Sequence, residues 1–291
     1  MKLPPLEYVA PTSVAETVAL LAQAQGDAKI ISGGQSLMPM LAFRLASPKI
    51  LIDLRHVPDL DRITVGDDGV TLGAKVRWVD IEQDLRLRTA HPLLADMIKH
   101  VAHYQIRNRG TVGGSLAHAD PAAEMPAIAV TCDAALEIAG PEGSRTVPAA
   151  SFFIGPLLAA LGPSDMIVAV RLPAWPARRR RGLAEFARRK GDFAMAGVAL
   201  FYDLDADGRM EDPHVGAFGV ADTPLRLREV ESVLAGKKPE PAVFARAVET
   251  CRASVDPPSD IHADSDYRRA LLGTMLEQAM LQAERQSRDD A

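Results

Sequence analysis

Two diglycine segments have the residue types that bind a phosphate group. They read Ser32-Gly33-Gly34-Gln35-Ser36 and Thr111-Val112-Gly113-Gly114-Ser115. A phosphate needs several backbone N–H donors pointing inward, no Cβ in the way and, ideally, the positive end of a helix dipole. Neither segment has the spacing of the common nucleotide loops, G-x-G-x-x-G or G-x-x-x-x-G-K-[ST]. We predict that they form two halves of one pyrophosphate cradle, with two ordinary tight turns as the alternative.

Each segment lies where a strand should give way to a helix. The first follows the strand-like residues 28–31 and precedes apolar residues at helical spacing, where Pro39 suits a first turn. After the second, Asp120 and Pro121 predict an N-cap and a first-turn proline for a helix over 121–131. Both segments are therefore expected to feed a helix.

The composition bounds the class of protein. The chain has 291 residues and a net charge of −5, which argues against nucleic acid or an anionic membrane as a general partner. Cys132 and Cys251 are its two cysteines, too few for the usual four ligands of an iron–sulfur cluster. The N-terminus lacks the apolar run of a signal peptide, and prolines interrupt the uncharged stretch at 146–164. We expect a cytoplasmic protein without a membrane span.

The remaining pattern predicts an α/β opening unit, a mixed middle region and a separate C-terminal region, with a boundary near residue 176. Before the boundary we expect a helix at 12–25, strands at 50–54, 134–139 and 165–172, a hairpin at 63–74, and helices at 79–87 and 92–103. Beyond it we expect an antiparallel sheet from 183–189, 194–204 and 214–220, helices at 226–235, 240–253 and 264–285, and a frayed tail at 286–291.

Three other patterns have simpler explanations. Residues 203–208 imitate the start of a calcium loop, but His214 stands where a bidentate glutamate is needed, so an Asp-Gly hairpin turn is expected. His100, His103 and His118 do not have a metal-site spacing, and no metal is predicted. The arginine run at 178–181 lies at a proline-bounded linker without interleaved aromatic residues, which favours a solvated or protein-docking surface.

Three motifs in order resemble one family. They are residues 31–39, residues 109–117 and the segment Phe186-x-Arg188-Arg189-Lys190-Gly191-Asp192-Phe193. The opening at 8–13 and the strand at 51–54 extend the resemblance over nearly the whole chain. The family is the FAD-binding medium subunit of molybdenum hydroxylases, similar to the carbon monoxide dehydrogenase medium chain and the flavin domain of xanthine dehydrogenase. Ser32, Gln35 and Leu6 depart from residues common there, and none of these departures removes a backbone donor.

The resemblance implies an α+β fold in two parts. A two-lobed PCMH-type FAD-binding domain would occupy residues 1–176, with lobes at about 1–57 and 58–176. A C-terminal domain related to the carbon monoxide dehydrogenase flavoprotein would occupy 177–291, with a three-stranded antiparallel sheet and helices.

The resemblance also implies the site. Residues 32–36 and 111–115 would hold the FAD diphosphate, Glu124 or Asp120 would accept hydrogen bonds from ribityl or ribose hydroxyls, and Lys190 and Phe193 would approach the isoalloxazine. The full set of expected cofactor-binding residues is Lys29, Ser32, Gly33, Gly34, Gln35, Ser36, Leu37, Gly110, Thr111, Gly113, Gly114, Ser115, His118, Asp120, Glu124, Lys190 and Phe193. No residue of the chain is assigned as a catalytic acid, base or nucleophile.

By the same resemblance the chain is an oxidoreductase subunit that transfers electrons. Electrons would come from a large molybdenum-pterin subunit through 2Fe-2S clusters on a small subunit, reach this FAD and leave to an external acceptor. The assembly would be one or two copies of a three-chain unit. A stand-alone flavin oxidase or dehydrogenase and a non-catalytic nucleotide-binding module remain the alternatives, and the substrate and acceptor stay open.

Overall fold

A computed structural model describes residues 3–289 of the chain, with side chains described as far as Gln286. The strands are β1 (Glu7–Val9), β2 (Ala28–Ile31), β3 (Ile50–Asp53), β4 (Ile63–Gly66), β5 (Gly69–Gly73), β6 (Ala135–Gly140), β7 (Gly143–Pro148), β8 (Phe153–Gly155), β9 (Leu158–Ala159), β10 (Met166–Pro173), β11 (Arg180–Phe186), β12 (Ala196–Leu204), β13 (Met210–Phe218) and β14 (Leu225–Arg226). The helices are α1 (Val14–Gln23), α2 (Leu37–Ala42), α3 (Trp78–Gln83), α4 (Leu87–Ala90), α5 (Pro92–Met97), α6 (Tyr104–Arg107), α7 (Val112–His118), α8 (Glu124–Thr131), α9 (Arg228–Leu234), α10 (Pro241–Ala253) and α11 (Ser265–Asp289).

The first lobe is a small parallel sheet with one long helix. Its strands lie in the order β1-β3-β2, with Ile50 of β3 opposite Glu7 on one side and Ala28 on the other. The hydroxyl of Ser13 caps α1 by accepting the Glu16 N–H at 3.1 Å. β2 is an edge strand of this parallel sheet, and the first glycine segment follows directly after its C-terminal end.

The second lobe is a five-stranded antiparallel sheet in the order β4-β5-β10-β6-β7. Its buried side packs against α5, α7 and α8 in the largest apolar core, which contains Leu72, Met97, Leu116 and Ile128. Apolar burial of this kind supplies most of the folding free energy. The core fixes α7 and α8, which carry the second glycine segment and Glu124.

The C-terminal region is an antiparallel sheet in the order β11-β12-β13-β14, in which three long strands are followed by the two-residue β14. One face packs against α9, α10 and α11, and the other joins the core of the second lobe through Leu183, Ala199 and Phe201. The Gly219 N–H donates to the Pro121 carbonyl oxygen at 2.9 Å. The C-terminal sheet is thus packed directly against the turn that precedes α8.

Some expected boundaries were wrong. The helix expected over 121–131 begins at Glu124, because the Asp120 side chain accepts the Ala122 N–H at 2.9 Å and forms a turn instead of capping a helix at Pro121. The long helices expected at 79–87 and 92–103 are the shorter α3, α4 and α5. The strand expected at 183–189 ends at Phe186, before a turn in which Gly191 has φ +87°.

The tail expected to fray from residue 286 continues α11 to Asp289, and residues 290–291 lie outside the described part of the chain. Gln286 is held because its amide nitrogen donates to the Arg181 carbonyl oxygen while its oxygen accepts the Arg181 N–H. The expected Asp-Gly hairpin is confirmed, since residues 205–208 join β12 to β13 and Asp205 accepts the Asp207 N–H at 2.9 Å.

Candidate functional site

A cavity of about 610 Å³ lies between the two glycine segments. Of the expected cofactor-binding residues, the structure brings all except Lys190 to its lining. The lobes and the C-terminal region all contribute, since Lys29 comes from β2, Glu124 from α8 and Phe193 from the turn after β11. Residues distant in sequence therefore share one site.

The first glycine segment presents free backbone donors. In the described part of the chain, no protein acceptor takes the amide N–H groups of Gly33, Gly34, Gln35 and Ser36. Gly34 has φ +73°, a conformation that residues with a Cβ rarely adopt. Adjacent free N–H groups in such a turn form a concavity suited to an anion. This part of the predicted cradle has the required donors.

The second glycine segment is built differently from the expectation. It forms the first turn of α7, where the Gly113 N–H donates to the Ala74 carbonyl oxygen at 2.9 Å and the Gly114 N–H to Thr111 Oγ1 at 3.3 Å. A Cβ on Gly113 would lie 2.6 Å from the Cβ of Ala74. Its glycine is therefore needed for close packing against the end of β5. The amide donors of Gly113 and Gly114 are thus used within the protein, while Thr111 and Ser115 line the cavity, and the role of this segment in holding a diphosphate stays a prediction.

Two carboxyl groups stand at the start of α8. Asp120 Oδ1 is already used by the Ala122 N–H, whereas no other residue in the described structure donates a hydrogen bond to the Glu124 side chain. Burial, with a smaller effect of the nearby charge of Asp120, raises the pKa of Glu124 to about 7 against the opposing effect of a hydrogen bond from its own backbone N–H. Glu124 is thus the carboxyl group with unused hydrogen-bonding capacity at the cavity.

The turn after β11 brings an aromatic ring, but not the expected cation, to the cavity. Phe193 lines it and remains 63% exposed, while Lys190 does not reach the lining. A Cβ on Gly191 would lie 2.5 Å from the His103 ring and 2.9 Å from the Ala102 carbonyl oxygen, so the turn is packed closely on the loop before α6. That packing directs Gly191, and not its neighbour Lys190, toward the cavity.

Several lining residues were not anticipated. Trp78 and Ile106 form part of the apolar wall of the cavity. Leu157 and Leu158, from the uncharged stretch at 146–164, also line the cavity and are 53% and 54% exposed. Exposed leucines beside a cavity are a sign of apolar surface that a ligand can cover. The absence of charge over 146–164 is the feature of the sequence that indicates these two leucines.

Comparison with known proteins identifies the family. Residues 4–175 match the family described as the FAD binding domain in molybdopterin dehydrogenase, and residues 181–283 match the CO dehydrogenase flavoprotein C-terminal domain. The chain therefore belongs to the family of FAD-binding medium subunits of molybdenum hydroxylase complexes, as its motifs predicted. The named relatives are subunits of dehydrogenases and hydroxylases, which makes the chain an oxidoreductase subunit.

Three relatives illustrate the match. The nicotine 6-hydroxylase medium subunit of Paenarthrobacter nicotinovorans is 37% identical, over 97% of this chain and 99% of the relative. The carbon monoxide dehydrogenase medium chain of Hydrogenophaga pseudoflava is 35% identical, over 95% of this chain and 96% of the relative. The solved structure of carbon monoxide dehydrogenase from Hydrogenophaga pseudoflava, in a form lacking the Mo-pyranopterin moiety, superposes with a TM-score of 0.94 at 36% identity, covering 98% and 99% of the two chains.

The residues at the cavity fit FAD. The free N–H groups of 33–36 suit a diphosphate, the Glu124 carboxyl group can accept from sugar hydroxyls, and Trp78, Ile106 and Leu157 give the apolar surface that a flavin ring requires. Among the described residues, no group of three or more His, Cys, Asp or Glu side chains is arranged to hold a metal ion, and no helix has the length and apolar character for a membrane span.

Proposed function

We propose that this chain holds FAD in the 610 Å³ cavity and transfers electrons within a three-chain molybdenum hydroxylase. Electrons would arrive from 2Fe-2S clusters on a small subunit, after substrate oxidation at a molybdenum-pterin centre on a large subunit, and leave to an external acceptor. The supporting observation is the row of free amide donors at Gly33–Ser36, which lines the same apolar-walled cavity as the Glu124 carboxyl group.

The chain's own residues bind and orient the cofactor. The amide groups of Gly33, Gly34, Gln35 and Ser36 would hold the diphosphate, and Thr111 and Ser115 would add hydroxyl donors. Glu124 would accept from sugar hydroxyls, and Phe193 would restrict solvent at the rim. Bound FAD would accept electrons singly and release them in pairs, chemistry that amino-acid side chains do not supply.

The proposal includes a division of the chain into two domains. We propose that residues 1–176 form the FAD-binding domain and 177–291 the C-terminal domain, in a cytoplasmic complex. The absence of four cysteines in the sequence fits clusters held by another chain. The medium-subunit names of the relatives support partners of larger and smaller size.

The first test is to purify the protein natively with any co-purifying chains, record the visible absorbance spectrum, and release and identify the chromophore. We expect FAD, additional iron–sulfur absorbance and two further chains. FAD on this chain alone, with oxidation of an organic donor by the single chain, would favour a stand-alone flavin oxidase. No flavin even after reconstitution, together with tight ADP binding by calorimetry, would favour the nucleotide-binding module.

A further inference from the structure

Glu185 of β11 is a buried carboxyl group without a hydrogen-bond partner for one of its oxygens. Its side chain is 5% exposed, and Oε2 makes no hydrogen bond within the described residues. That oxygen lies 3.5 Å from His100 Nδ1, whose side chain is 34% exposed. Burying a carboxyl group without its full set of hydrogen bonds costs stability, so the position calls for a reason other than folding.

The alternation of β11 determines where Glu185 points. Leu183 belongs to the core of the second lobe, and the neighbouring Ala184 belongs to the core under α11. Arg181, on the Leu183 face, donates from Nε to Asp96 Oδ2 of α5 at 2.9 Å. Residues two apart in a strand share a face, so Glu185 is directed at the second lobe and away from α11. Across the sheet, Glu185 pairs with Gly197 of β12, and Gly197 pairs with Phe218 of β13. Phe218 packs against Ala127 of α8, which places Glu185 on the side of the sheet that α8 covers.

The charges around the three groups favour a proton on Glu185 near neutral pH. Burial raises the pKa of Glu185 to about 8, and the negative charge of Glu124 adds to the rise. Burial lowers the pKa of His100, with Asp96 opposing the shift and with Lys99 and Lys190 adding to it. Around Glu124, the charge of Asp120 adds to the effect of burial. A protonated Glu185 therefore lies beside a neutral imidazole and interacts electrostatically with a carboxyl group that titrates near neutrality.

We propose that Glu124, Glu185 and His100 form a route that carries protons between the FAD cavity and solvent. The proposal rests on the proposed function. Glu124 lines the cavity, the Glu185 side chain is 5% exposed and lies against His100, and the His100 side chain is 34% exposed, so the order of the three groups runs from cavity to solvent. Hydrogen bonds mediated by water can connect such groups across gaps that direct contacts do not close.

The proton balance explains the need for such a route. Adding two electrons to a flavin takes up at least one proton, and electrons that come from metal clusters bring none. In the reducing direction, Glu124 gives a proton to the cavity and takes one from Glu185, which is reprotonated from solvent through His100. When the external acceptor removes the electrons, the same groups carry the proton outward.

The test compares Glu185→Gln with Glu277→Gln, a matched control at an exposed position of α11. The natively purified protein, with its co-purified chains, is reduced by reduced methyl viologen, which donates electrons without protons. A pH-indicator dye in weakly buffered solution reports proton uptake while absorbance reports flavin reduction. We expect proton uptake in Glu185→Gln to be slower by about tenfold or more, with unchanged FAD content.

Chemical rescue separates a proton carrier from a structural residue. Added imidazole should restore rapid uptake in His100→Ala, and a variant with a merely distorted site would not respond. As a further readout, the infrared absorption of protonated carboxyl groups at neutral pH should lose one component in Glu185→Gln that wild type and Glu277→Gln both retain. Uptake at the wild-type rate in a flavin-loaded Glu185→Gln protein would overturn the route, whereas a native protein without any flavin would overturn the proposed function itself.

Discussion

The backbones of the two glycine segments meet at Gly33 and Arg109, because a Cβ placed on Gly33 would lie 2.0 Å from the Arg109 carbonyl oxygen. Such an approach leaves no room for any side chain at residue 33. The position of the free donors at 33–36 is therefore set by the chain just before α7. The first glycine segment and the chain before α7 are therefore packed backbone against backbone.

Gly33→Ala should consequently lose FAD. The added methyl group must displace backbone atoms of Arg109 and Gly110, which we expect to cost about 1–3 kcal/mol of stability and to weaken FAD binding at least about tenfold. Flavin content per purified chain and the dissociation constant measured on reconstitution check this. Gly155→Ala is the control, since a Cβ there meets nothing within 4 Å. Equal flavin content in both folded variants would contradict the assignment.

Glu124 and Asp120 should differ in their contribution to FAD affinity. Asp120 Oδ1 already accepts the Ala122 N–H, while no other residue in the described structure donates a hydrogen bond to the Glu124 side chain. Replacing a carboxyl acceptor of a sugar hydroxyl costs about 1.5 kcal/mol or more, so Glu124→Gln should weaken FAD binding about tenfold. Asp120→Asn keeps the turn-forming oxygen and should change affinity by less than about threefold. Titration of the apoprotein with FAD measures both, and the reverse order would show that Asp120 is the acceptor.

The sequence predicted the features of the site that depend on residues adjacent in the chain. Glycines between a strand and a helix specify the first segment, because free donors and a positive φ at Gly34 follow from a few adjacent residues. The sequence did not predict that the Gly113 N–H donates to the Ala74 carbonyl oxygen, because that hydrogen bond joins elements distant along the chain. Lys190 lies outside the lining for a similar reason, because the close packing of Gly191 on His103 decides which residue of the turn faces the cavity.

The turn after β11 gives a third prediction. Phe193 lines the cavity rim, so Phe193→Ala should weaken FAD binding by about 1 kcal/mol through lost apolar contact. Lys190→Met should leave affinity within about twofold, because Lys190 lies outside the lining. FAD dissociation measured by ultrafiltration distinguishes the two variants. A large loss with Lys190→Met would mean that the turn rearranges when the cofactor binds.

The last prediction concerns acid stability and depends on His91, a residue that is 1% exposed. His91 Nδ1 accepts the Leu94 N–H at 3.2 Å and so caps α5, which requires an unprotonated nitrogen, while Nε2 has no partner in the described structure. Burial lowers the pKa of His91 to about 4. Between that value and the ordinary 6.5 the unfolded chain binds more protons than the folded one.

The contribution of His91 to stability is therefore present above about pH 6.5 and is lost as the pH falls toward 4, by up to about 3 kcal/mol. His91→Asn retains an uncharged cap and should lower stability at neutral pH, because it leaves space beside Trp175, but it should flatten this part of the pH dependence. Urea unfolding of both proteins across this range measures the slopes. Parallel slopes would mean that other groups, and not the His91 imidazole, govern unfolding in acid.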